Sequence, residues 1–164
     1  MIAALNSILD QQLLAGESFV LALEAERVAL TGQDPDALEP ILAQKEQHAS
    51  RVEALDQDRR RFLAQHGFAP GREGMVAVIR KFEDPQFELG PRRAGPLATK
   101  WQRLVAVIDR CRADNARNGM IVTLQTQRVT KTLNILRTGR PDQLTYGRSG
   151  GQAAGATHRA LGRV

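Results

Sequence analysis

The sequence predicts an all-α fold, an antiparallel, coiled-coil-like three-helix bundle with a long, overhanging third helix and a disordered C-terminal tail. Three observations carry this. Apolar residues recur at alternating steps of three and four along three separate segments. Glycine and proline cluster between those segments, where helices start and stop. The segment richest in β-branched residues shows no period-two alternation, which argues against a strand. The 164 residues suffice for one domain with a real core, expected over 1–138, followed by a flexible tail over 139–164.

The first helix is expected near 2–31. Ile2, Leu5, Leu9, Gln12, Gly16, Phe19, Leu23, Glu26 and Leu30 fall on one heptad seam. Gly32 then suits a left-handed C-cap, and Asp34 with Pro35 suits the start of the next helix. So short a connection turns the second helix antiparallel to the first. That helix is expected over 35–66, with Leu38, Ile41, Lys45, His48, Val52, Leu55, Arg59 and Phe62 on its seam and Gly67 closing it. Residues 68–96 hold four prolines and four glycines, so an irregular connection is expected there. Only 72–82 within it has the periodicity of a short helix. The third long helix should open at Gly95-Pro96-Leu97 and run to Thr138, before Gly139 and Pro141. Its 43 positions would span about 60 Å, against about 45 Å for either earlier helix.

Composition narrows the function. No run is apolar enough to cross a membrane, and the N-terminus lacks the basic start of a signal peptide, so a cytoplasmic protein without membrane insertion is expected. The single Cys111 excludes an internal disulfide. Net charge is +5, but +4 of it lies in Arg137–Val164, in a Gly/Ala-rich stretch that reads as a solvated end. His48, His66 and His158 have no ligand partners at metal spacing, Cys111 has no evident base, and no phosphate loop appears. No enzyme activity, metal or cofactor is expected.

The unusual stretch is NARNGMIVTLQTQRVTKTLNIL, residues 115–136. The third seam is apolar from Trp101 through Leu104 and Ile108 to Cys111. From there Asn115, Asn118 and Gln125 alternate with Val122, Val129, Leu133 and Leu136. Burying unpaired amides is costly, so this half is expected to be only partly covered within the monomer. Eight of the seventeen residues from Met120 to Leu136 are β-branched, and Asn118-Gly119 weakens the preceding turn, which lowers helix propensity. Two readings stay open. Either the seam meets a partner, or its amides pair across the bundle and set register. Half-covered heptads also allow a homodimer.

The two leading helices, the N-x-x-N-G of the long helix (Asn115, Asn118, Gly119), the Thr- and Leu-rich end through Leu136 and the tail from Arg140 to Tyr146-Gly147 together resemble the FlgN-type flagellar export chaperones. The likeness covers about residues 5–150, and its most specific parts are DNARNG and the tail tyrosine. It implies a cytoplasmic chaperone that binds the hook–filament junction proteins FlgK and FlgL, keeps them soluble and delivers them to the flagellar type III export gate. It places cargo contact on Asn115, Asn118, Gly119, Val122, Gln125, Val129, Leu133 and Leu136, and gate docking on Tyr146. The extension after Gly147 departs from the family pattern. The competing class is a basic helical nucleic-acid-binding or regulatory protein, resting on the arginine tail. Against it, only Tyr146 of seven aromatic residues lies among those arginines, which leaves bases almost no stacking platform.

Overall fold

The computed structural model describes residues 1–32, 35–83 and 95–138. They form α1 (Ile2–Gly32), α2 (Pro35–Gln65), α3 (Arg72–Phe82) and α4 (Pro96–Thr138), with no strand among them. The expected all-α architecture is what the chain adopts. The expected Asp34 cap, the rest of the connection at 84–94 and the tail from residue 139, with Tyr146, lie outside the described residues. The chain divides into two units, Met1–Leu124 and Gln125–Val164. That division falls inside α4.

In the first unit α1 and α4 run in the same direction. Lys100 pairs with Asp10 at 2.7 Å, the Cys111 thiol donates to the Gly16 carbonyl at 3.7 Å, and Asn118 donates to the Leu23 carbonyl at 2.8 Å. Gly16 permits this closeness, since a Cβ there would stand 2.7 Å from Val107 Cγ1. The second helix is antiparallel to both. Its Lys45 meets Glu26, while its Leu63 joins Leu5 and Leu9 at the other end of α1. All four helices supply the core, which combines Leu5, Leu9 and Leu13 with Leu63, with Met75, Val78 and Ile79 of α3, and with Leu97, Ala98, Trp101 and Leu104 of α4.

The helix ends explain how α3 comes to lie there. At the end of α2, Gly67 takes φ 77°, its N–H donates to Ala64 O and that of Phe68 to Leu63 O. This is a Schellman cap, and it returns Phe68 to the core beside Leu63. Gly74 is fully committed to the fit, because a Cβ there would sit 1.8 Å from the Ala69 carbonyl oxygen. Gly32, expected to be left-handed, instead continues α1 without a positive φ. The start of α4 has no capping side chain of its own at Gly95. Glu83, just past α3, supplies one, accepting from Leu97 N–H at 2.8 Å and Ala98 N–H at 2.9 Å. A carboxylate here satisfies two orphan donors and meets the positive end of the helix dipole. Gly95 leaves it room, since a Cβ would lie 2.4 Å from Glu83 Cδ.

Of the second unit, Gln125–Thr138 is described, and it is helical throughout. Thr130 and Thr132 donate their hydroxyls to the carbonyls four residues back, at 2.9 and 3.0 Å. This local bonding is how β-branched hydroxyl residues are tolerated in a helix that their propensity disfavours.

Candidate protein-binding surface

The amide seam splits into two chemically different parts. Asn118 is buried, only 2% exposed. Its Nδ2 donates to Leu23 O and, at 2.7 Å, to Glu26 Oε2. Both partners are acceptors, which fixes the amide's orientation. Glu26 is itself buried and takes Lys45 Nζ at 2.9 Å. One residue from each of α1, α2 and α4 therefore closes a buried polar cluster across the bundle. Shifting any of these helices along another would strand a charge away from water, so the cluster specifies register. Here the amide-pairing reading describes the residue.

The neighbours of Asn118 behave differently. Asn115 and Gly119 are exposed, and a Cβ at Gly119 would meet open space. In the first unit Val122 is 44% exposed and Leu124 and Met120 are more so. In the second unit Gln125 is half-buried, while Val129 and Leu133 are each 59% exposed and Leu136 is 77% exposed. Val122, Val129, Leu133 and Leu136 follow one another at steps of seven, four and three along α4, which puts them on a single helical stripe. Exposed apolar residues are ordinary singly, but a continuous stripe of them is a mark of contact with another protein. Tyr146 lies outside the described residues.

The remaining chemistry is quiet. No group of His, Cys, Asp and Glu among the described residues could hold a metal ion. Partial burial pushes the Cys111 thiol above its ordinary pKa, and the nearby Asp114 adds to this, so it stays protonated and poorly nucleophilic at neutral pH. Asp56 shifts the other way. Partial burial favours its neutral form, but hydrogen bonds from Arg59 and Arg60 outweigh this and hold it below the usual carboxylate range. No described helix is long and apolar enough to cross a membrane.

An all-helical bundle locked by a buried polar cluster, with an apolar stripe left open on its longest helix, defines a protein whose surface chemistry suits binding another chain. The family model described as FlgN protein matches residues 1–154, and the chain belongs to that family, the flagellar export chaperones. This is a family of chaperones, not of enzymes. No curated protein and no solved structure matched the chain.

Proposed function

We propose that the protein is a cytoplasmic chaperone for the hook–filament junction proteins FlgK and FlgL, holding their export segment along the last turns of α4 and delivering them to the flagellar type III export gate. The observation that carries this is the open stripe of Val122, Val129, Leu133 and Leu136 in a chain of the FlgN family. Covering four such side chains is worth roughly 6–12 kcal/mol gross, at 1.5–3 each. Association and ordering costs reduce that figure to the range of micromolar binding, about −8 kcal/mol. Asn115, Gly119 and Gln125 border the stripe and offer amide and backbone groups to set the cargo's register. Asn118 serves the same contact from inside, by holding α4 against α1. Tyr146 follows the helix in sequence and is the residue we assign to gate docking.

The test is co-purification of the full chain with the C-terminal segment of a junction protein. The expected complex survives raised salt, because apolar contacts dominate it. A complex that dissolves steeply with salt would indicate charge-led binding instead. Tyr146→Ala should retain that complex yet reduce secretion of the junction proteins, and normal secretion would remove the docking role.

A further inference from the structure

A second surface lies in the first unit and meets the cargo stretch only at Asn115. A cleft of about 760 Å³ opens between α1, α2 and α4. It is lined along α4 from Trp101 to Asn115 and along α2 from Ala49 to Arg60, lengths of roughly 21 and 16 Å. Phe19, Val52, Leu104, Val105 and Ile108 give it apolar walls. Three of its lining side chains are almost wholly buried and still carry unpaired polar atoms. They are Arg59 at Nε and Nη1, Trp101 at Nε1, and Gln12 at Oε1.

Arg59 is the informative one. Its guanidinium lies over the Trp101 ring, 5.1 Å from the centroid, and its Nη2 is taken by Asp56. Asp56 is shared with Arg60, and neither of its oxygens bonds the other two nitrogens. A buried cation with two unpaired donors is held at a cost that an external acceptor would remove. With three donors to one acceptor free, the missing group is an acceptor; Arg60, Arg72 and Arg112 offset Glu53 and Asp109 in the lining, so a carboxylate can enter and form the strong, charge-assisted pair. The elongated shape and apolar walls fit a helix better than a small ion.

We infer that this cleft docks an amphipathic helical segment of a partner protein, of three to four turns, with its apolar face on Val52, Leu104 and Ile108 and a Glu or Asp side chain paired with Arg59. The unpaired nitrogens are shielded from water, so docking turns Arg59 on its long stem away from the indole. Trp101 is the chain's single tryptophan and reports the event.

The probe is a capped, tryptophan-free helix of about 16 residues built from Ala, Leu and Gln, with one central Glu on its leucine face, beside a twin carrying Gln there. Titrated into the full chain, the Glu peptide should change Trp101 emission saturably and bind at least about tenfold more tightly than its twin. Arg59→Gln should abolish that preference. The comparison of the two peptides on the unaltered chain stands even if this variant folds poorly. Equal affinities would reduce the cleft to non-specific apolar adhesion and overturn the inference, as would no saturable change. Emission that varies with protein concentration alone would make another copy of this chain the occupant, again against it.

Discussion

The two halves of α4 share one helix and one spacing, yet their seams end up in opposite environments. From Leu97 to Asn118 the seam is anchored. Leu97, Ala98, Trp101 and Leu104 sit in the core, and Asn118 is locked to Leu23 and Glu26. From Met120 to Leu136 no residue is fully buried, and every large aliphatic side chain except Ile121 is more than 40% exposed. Heptad spacing says which residues share a face. It does not say that anything covers the face. Asn118 marks the change, because it is the last buried residue of α4. The first half is there for the fold, and the second is left open.

The anchored half can be broken most severely from outside α4. Gly74→Ala drives a methyl into the Ala69 carbonyl and displaces α3, whose Met75 and Ile79 are fully buried beside Leu97 and Trp101. The expected loss is about 3 kcal/mol or more in denaturant unfolding, since a backbone atom must move. An unchanged midpoint would mean that α3 is dispensable to the core.

Asn118→Ala acts on the boundary itself. It removes two hydrogen bonds and leaves the buried Glu26 with Lys45 alone, for an expected cost of about 2–3 kcal/mol by the same measurement. A loss of this size would place Asn118 with the fold, whereas a neutral result would return it to the open half.

Glu83→Ala should cost less, about 1 kcal/mol, by uncapping the first turn of α4. Amide exchange of Leu97 and Ala98 would localise the effect. Faster exchange confined to that turn is expected, and no change would show that water caps the helix equally well.

Much of this was legible in the sequence. The seams put Gln12, Glu26 and Arg59 on the inward-facing lines, whereas Asn118, expected in a half only partly covered, is buried; these four are the buried polar residues of the described chain. Spacing revealed their positions but not their pairings, because three-to-four periodicity gives a helix face and not the height at which helices meet. Glu83 was missed for a related reason. It caps a helix that begins thirteen residues later, and no local cap signature covers so long a reach. The role of α3 was also hidden. Its eleven residues suggested a short helix in a connection, while only the Phe68 return and the close fit at Gly74 bring it into the core. Gly32 was misread because a glycine between two helices looks like a C-cap whether or not the backbone turns left-handed there.

The most direct test concerns the open half. Val129→Asp combined with Leu133→Asp places two charges where the native side chains are each 59% exposed. Thermal unfolding and binding of a junction-protein C-terminal segment should be measured on this one variant. Stability within about 0.5 kcal/mol of the parent is expected, as for exposed surface sites, together with loss of cargo binding. A loss of several kcal/mol in stability would contradict it, because the seam would then be ordinary core and the division within α4 would disappear.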